Sequence, residues 1–164
     1  MVNVCMEIET TRDIARQILR HRSFSFQEFS QRYATAEAFE TRECRKQDMV
    51  NRQNSLALDI YGNENDRYLS TWWDGVQQRL TKEAEFLYEA ALNKGIAKEV
   101  ARALLPEGLT GSKLYMNGTL RSWIHYIEIR CDKATQKEHR EVAEQCRDII
   151  FEHFPSLEEV LNGA

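Results

Sequence analysis

Between residues 14 and 32 the spacing of apolar side chains changes period, and few folds accommodate such a change. Ile14, Ala15, Ile18 and Leu19 form the stripe of a helix, with Thr10 or Thr11 as its N-cap. Gln17, Arg20 and His21, at i, i+3 and i+4, share one face of that helix. From Phe24 the period is two, so that Phe24, Phe26, Glu28, Ser30 and Arg32 line one side of an extended segment. Residues 2–9 alternate in the same way, with Val2, Val4, Met6 and Ile8 on one face. A lone strand is not stable, so this one joins a sheet. A helix end therefore runs into a strand or loop that presents Glu28, Ser30 and Arg32 together, in a stretch that also holds Arg16, Arg20 and Arg22. Planar guanidinium forks suit phosphates and the carbonyl edge of a base, and Glu28 among such cations is expected to stay ionised.

Downstream the pattern is mostly helical. A long helix is predicted from Asp66 to Asn93, with the stripe Leu69, Trp72, Trp73, Val76, Leu80, Ala84, Leu87 and Ala91 and with Gly95 at its C-terminal cap. At this spacing Trp72 and Trp73 read as packing residues rather than a base-stacking platform. Ile96 to Leu105 reads as a short helix with Ile96, Val100, Ala103 and Leu104 apolar, stopped by Pro106. Lys113 to Asn117 reads as a short strand. Thr119 to Ile129 reads as a helix with Leu120, Trp123, Ile124 and Ile127 inward and Arg121, His125 and Glu128 outward. A last helix from Asp132 or Thr135 carries Val142, Ala143, Cys146, Ile149 and Ile150 inward. It ends at Pro155, and Ser156 with Glu159 can box-cap a terminal turn.

The 164 residues suit one domain, 1–164, with a real core. A net charge of −4 argues against a nucleic-acid polymer as partner, although a nucleotide pocket needs only a local basic cluster. No apolar run is long enough to cross a membrane, and Met1 to Glu9 has no signal-peptide pattern, so the cytoplasm is the expected compartment. Cys5, Cys44, Cys131 and Cys146 form no CxxC pair and read as reduced thiols. The four histidines, His21, His125, His139 and His153, have no metal-ligand spacing, so no metal is expected.

Arg20-His21-Arg22, seven residues and then Ser30, continuing as Ser30-Gln31-Arg32-Tyr33, resembles the signature of flavin-dependent thymidylate synthases. Three further segments resemble the same family in the same order. Arg45-Lys46-Gln47 with Asn51-Arg52-Gln53-Asn54-Ser55 matches its Arg-x-Gln and Asn-Lys-Gln-Gly-Ser, with Asn54 in the glycine position as a residue able to adopt a left-handed conformation. Gly95 to Pro106 matches its Gly-Ile-x-x-Glu-x-Ala-Arg-x-x-Leu-Pro. Thr119-Leu120-Arg121-Ser122, Ile129-Arg130 and Gln136-x-Glu138 match the rest, with Thr119 replacing an asparagine and Lys137 a tryptophan.

The resemblance spans about residues 16–138 and implies an α+β fold, helix-rich with a small, mainly antiparallel sheet. It implies reductive methylation of dUMP to dTMP with methylenetetrahydrofolate as carbon donor, FAD as hydride carrier and NADPH as reductant. By resemblance, Gln17, Glu28, Ser30, Arg32, Arg102 and Arg130 hold the substrate. Arg130 and Ser30 lie nearest the chemistry, Ser30 as a hydrogen-bonding contact rather than a nucleophile. Arg20, His21, Arg22, Arg121 and His125 fall to the flavin. Family enzymes are homotetramers with sites at subunit junctions, and they usually carry a segment before the first strand, so the resemblance is to a short form. Two other readings fit the motifs, a non-catalytic nucleotide-binding homologue and a flavin-dependent pyrimidine-nucleotide hydroxymethylase.

Overall fold

The computed structural model describes residues 2–30, 39–52 and 54–158. Strand β1 (Asn3–Thr11) is longer than its apolar alternation alone suggests, because it pairs antiparallel along its whole length with a second nine-residue strand near the C-terminal third. That partner, Gly111–Thr119, extends the expected Lys113–Asn117 strand at both ends. Its register runs from Asn3 opposite Thr119 to Thr11 opposite Gly111. Strand β2 (Ser25–Glu28) pairs antiparallel with the other edge of the same strand. A hairpin of β3 (Arg45–Gln47) and β4 (Ser55–Ala57) stands apart. The long strand is thus β5, the centre of the sheet β1-β5-β2.

One face of this sheet is apolar and the other is wet, as the alternation requires. Met6, Ile8, Leu114 and Met116 are buried, whereas Glu7, Glu9 and Tyr115 are exposed. On the wet face Lys113 bridges Glu7 at 3.0 Å and Glu9 at 2.8 Å. The apolar face is covered by α1 (Arg12–Ile18), α4 (Leu120–Arg130) and α5 (Lys137–His153). Ile14, Ala15, Ile18, Trp123, Tyr126, Ile127, Ala143, Cys146 and Ile150 complete the core. The Trp123 indole N–H finds the carbonyl of Val4 at 3.0 Å, so the largest core side chain leaves no polar atom orphaned.

Two junctions have no loop. β1 passes directly into α1 at Thr11 (φ −78°, ψ 157°), and β5 into α4 at Thr119 (φ −67°, ψ 155°). Thr119 caps α4 by accepting from the Ser122 N–H at 3.2 Å. Thr11 occupies the N-cap position of α1, as expected, but makes no side-chain cap bond; its hydroxyl donates to Asp13 at 2.6 Å.

Helix α2 (Glu64–Asn93) begins two residues before Asp66, because the Asn63 side chain accepts from the N–H groups of Asn65 and Asp66. Its buried face differs from the expected stripe. Asp66, Gln77, Ala84, Tyr88 and Ala91 are buried, while Trp72, Leu80 and Leu87 are 50%, 49% and 42% exposed. The apolar period is real, and Ala84 and Ala91 on it are buried, but within this chain α2 packs mainly on the segment that follows it, leaving Trp72, Leu80 and Leu87 uncovered. Gly95 does adopt the left-handed conformation of a helix C-terminus, with φ 81°.

The expected Ile96–Leu105 helix is reduced to α3 (Lys98–Ala101) and a 3-10 turn over Arg102–Leu104. Ala101 is its buried residue, whereas Ile96, Val100, Ala103 and Leu104 are exposed. Helix α5 starts at Lys137, later than expected, and Ile149 on it is exposed. Asn54 is not left-handed: among the described residues no non-glycine has positive φ. Instead Asp48 holds the β3–β4 turn, accepting from the N–H groups of Val50 at 2.8 Å and Asn51 at 3.1 Å and from the Asn54 amide at 3.0 Å. Those bonds hold its carboxyl below the usual carboxylate range. Glu159, half of the expected terminal capping box, lies outside the described residues.

Candidate active site

Helix α1 ends at Ile18, so Gln17 leaves from its last turn while Arg20 and His21 sit in the turn that follows, not on a shared helical face. That turn is closed by the His21 N–H bonding the Ile18 carbonyl at 3.0 Å and the Phe24 N–H bonding the His21 carbonyl at 3.3 Å. Phe24 anchors it. Its ring meets Trp123 edge-on at 4.9 Å and lies so close to Gly118 that a Cβ there would fall 2.5 Å from Phe24 Cδ1. His21 in turn meets Tyr126 edge-on at 4.9 Å. The strand β5, the turn 19–24 and the helix α4 are thereby locked together through aromatic rings.

A polar chain starts here. Arg130 Nε donates to His21 Nε2 at 2.9 Å, joining residues 109 apart in sequence. His139, fully buried on α5, contacts Tyr126 Oη through Nε2 at 3.1 Å and Gln17 Oε1 through Nδ1 at 3.3 Å. Gln17 Nε2 donates to Gln136 Oε1 at 2.8 Å, and Gln136 Nε2 donates to Glu138 Oε2 at 3.0 Å. Glu138 is clamped by Arg42 at 3.2 Å and by Arg45. Arg42 also reaches Asp13 at 2.6 Å. Its backbone is gripped from α2, where Gln77 accepts from its N–H at 2.6 Å and donates to its carbonyl at 2.9 Å, and Trp73 Nε1 donates to the same carbonyl at 2.8 Å.

The electrostatics follow from burial and from the cations. Burial, then the charges of Arg130 and His125, bring the His21 pKa down to about 4. Burial, then Arg130 and His21, do the same to His139, also to about 4. Both imidazoles are therefore neutral near pH 7, and His21 can accept from Arg130. Burial pushes the Tyr126 hydroxyl up, so it remains a donor. Burial would raise Glu138, but bonds from its own N–H, Arg45 and Gln136, with the charge of Arg42, outweigh it and hold the carboxyl low.

The structure brings Gln17, His21 and Arg130 together, with His125 close enough to depress His21. Arg20, Arg22, Arg121 and His125 are exposed along the turn 19–24 and the outer face of α4, and His125 lies 3.9 Å from Glu128. Glu28 is held away from that turn, accepting from Ser112 Oγ at 3.0 Å and facing Arg12 at 3.6 Å. Ser30 is half-buried just past β2. Arg102 sits on the 3-10 turn against α2, with Nε on the Glu99 carbonyl at 3.3 Å, and no bond among the described residues joins it to the cluster. Arg32 lies outside the described residues.

Sequence reasoning assigned no role to His139, Tyr126, Arg42 or Gln136. The signal for His139 was present: it continues the α5 stripe of Ala143, Cys146 and Ile150, where a polar residue needs a partner. Beside Gln136 a polar cleft of about 480 Å³ opens between the β3–β4 hairpin and the start of α5, lined by Arg45, Arg52, Asn54, Thr135 and Arg140 among others. Among the described residues no group of three His, Cys, Asp or Glu side chains is placed to hold a metal, and no helix is long and apolar enough to cross a membrane.

Comparison with known proteins gives a consistent picture. A family model described as thymidylate synthase complementing protein matches residues 1–156. The chain is 53% identical over 157 residues to a flavin-dependent thymidylate synthase of Synechocystis, covering 96% of this chain and 70% of that one. It is 48% identical over 158 residues to a probable flavin-dependent thymidylate synthase of Paramecium bursaria Chlorella virus 1, with the same two coverages, 96% and 70%. Its fold resembles that of the UMP/dUMP methylase PolB from Streptomyces cacaoi bound with 5-Br UMP, with a TM-score of 0.78 and 25% identity over 92% of this chain and 69% of that one.

Proposed function

The chain belongs to the thymidylate synthase complementing protein family, and on that premise we propose that it acts as a flavin-dependent thymidylate synthase, methylating dUMP to dTMP. The observation that supports this most directly is the convergence of Gln17 and His21, from the end of α1 and the turn after it, with Arg130 from α4 around His139. Methylenetetrahydrofolate donates the carbon and NADPH restores the reductant. FAD, when bound, supplies the hydride that converts the transferred carbon into a methyl group. The residues present suit such a group: Arg20, Arg22 and Arg121 offer exposed guanidinium groups on neighbouring surfaces, chemistry matched to a diphosphate.

Each side chain then has a task. Neutral His21 holds Arg130 by its Nε, leaving both terminal Nη groups, which have no acceptor among the described residues, for the base. Arg130 there stabilises negative charge that develops on the pyrimidine ring during carbon transfer. Gln17 orients the base, Glu28, Ser30 and Arg32 hold the rest of the nucleotide, and Arg102 completes the site from another subunit of a homotetramer. The uncovered apolar stripe of α2 is consistent with such an assembly.

The test is direct. The purified protein should be yellow, bleach with NADPH and, given methylenetetrahydrofolate, convert dUMP to a product in which one ring hydrogen is replaced by a methyl group. Arg130→Ala should keep the flavin spectrum and lose dUMP affinity. A colourless protein that takes up no added flavin, or a hydroxymethyl product, would overturn the proposal.

A further inference from the structure

We propose that His139 is a positioning residue: by bonding Gln17 Oε1 it fixes that amide with its NH2 group toward the ligand, so the site takes a pyrimidine carbonyl and rejects an amino group. The inference rests on the reading of Gln17 as a base contact, and it comes from the direction in which the polar chain must run. Glu138, clamped by Arg42 and Arg45, is a carboxylate and can only accept. Gln136 must therefore turn its amide nitrogen to Glu138 and its oxygen to Gln17. Gln17 must turn its nitrogen to Gln136 and its oxygen to His139. His139 must then carry its proton on Nδ1, and its bare Nε2 accepts from the Tyr126 hydroxyl. Each amide and the imidazole have one orientation that satisfies both neighbours. Flipping Gln17 would set donor against donor at His139 and acceptor against acceptor at Gln136.

The consequence is chemical. Gln17 Nε2 has two hydrogens, and Gln136 takes one. What remains for a ligand is a donor, and Arg130 nearby offers only donors. A base with carbonyl oxygens at its edge is matched; a cytosine amino group in the same place meets a donor and goes unpaired. Loss of a hydrogen-bond match of this kind discriminates between otherwise similar bases. Without His139, Gln17 keeps only its bond to Gln136, and turning its oxygen toward the ligand costs one mismatch instead of two.

The experiment uses the full chain with flavin bound and reads dissociation constants for dUMP and dCMP by titration calorimetry. Gln17→Ala tests the underlying reading and should weaken dUMP about tenfold. His139→Leu should also weaken dUMP by about tenfold and narrow the dUMP-over-dCMP preference by at least that factor. His139→Asn, which keeps an N–H in the place of Nδ1–H, should restore both to within about threefold of the parent. Tyr126→Phe removes the hydroxyl that donates to the bare Nε2 and helps hold the imidazole in place, and it should shift the preference in the same direction, which gives a result even if His139→Leu does not fold. If Gln17→Ala weakens dUMP while His139→Leu and His139→Asn behave alike, or the preference stays unchanged in His139→Leu and Tyr126→Phe, the positioning role is refuted. If Gln17→Ala leaves dUMP binding unchanged, the reading of Gln17 as a base contact fails first, and the inference with it.

Discussion

Gly118→Ala is expected to damage the site without touching any residue in it. The added Cβ would lie 2.5 Å from Phe24 Cδ1 and 2.7 Å from Cε1, where carbon–carbon contacts are comfortable only near about 3.5 Å. The ring must retreat by about 1 Å, and the core blocks its inward path. Trp123 stands edge-on at 4.9 Å and Tyr126 at 6.0 Å, both fully buried. Strand β5 cannot yield either, since Gly118 pairs with Val4 in the central ladder. The turn carrying Arg20, His21 and Arg22 must move instead. Overpacking of this kind costs roughly 1–3 kcal/mol, or about 3–10 °C in Tm for a chain of this length. Differential scanning calorimetry reads the first quantity and flavin titration the second, which should weaken as the turn shifts. Phe24→Leu in the same chain should recover at least about half of both losses, because leucine can rotate away from the new methyl group. A Gly118→Ala protein with unchanged Tm and flavin affinity would refute the reasoning, as would losses that simply add in the double variant.

Other outcomes can be checked alongside. Gln77→Leu strips the Arg42 backbone of a donor and an acceptor and should cost roughly 1–3 kcal/mol by thermal denaturation; a Tm equal to the parent's would show the strap 39–44 to be held by other contacts. Glu138→Gln should lower Tm, by about 2 kcal/mol equivalent, because Arg42 and Arg45 lose a shared carboxylate. In the parent the folded pKa of Glu138 is depressed, so its contribution is present above the unfolded value of 4.5 and is lost as pH falls through the lower folded value. The two histidines act at milder pH. The folded form binds fewer protons than the unfolded between 6.5 and about 4, so Tm should fall steadily on acidification through that window. His139→Asn should flatten the slope, and an unaltered slope would exclude His139 as one of its sources.

Much of the sheet and core could be read before any coordinates, for a physical reason. Met6 and Ile8 on β1 and Ile14, Ala15 and Ile18 on α1 bury against elements close at hand, so local periodicity and burial agree. Gly95 was legible because only a residue without Cβ ends a helix at φ 81° without strain. The hairpin β3–β4 was not, since Arg45-Lys46-Gln47 and Ser55-Leu56-Ala57 carry no apolar alternation. It is held by the Asp48 turn and by Lys46 pairing with Asp66 at the start of α2, both polar. The face of α2 misled because Leu80 and Leu87 obey a helical period yet lie exposed in this chain. Within the polar cluster, Gln17, His21 and Arg130 had been singled out by resemblance to the family motifs, while His139 was concealed as one more member of a core stripe. Periodicity reports which side faces inward, not which inward polar groups find each other.

The loopless passages at Thr11 and Thr119 also limit how a lineage of such chains can change length. A single inserted residue at either place would spin the following helix by about 100°, turning Gln17 or Arg130 away from their partners at a stroke. Insertions and deletions that preserve the site are therefore confined to stretches such as the turn at 48–54 and the linker before α2, while the two passages tolerate only exchange of one side chain for another.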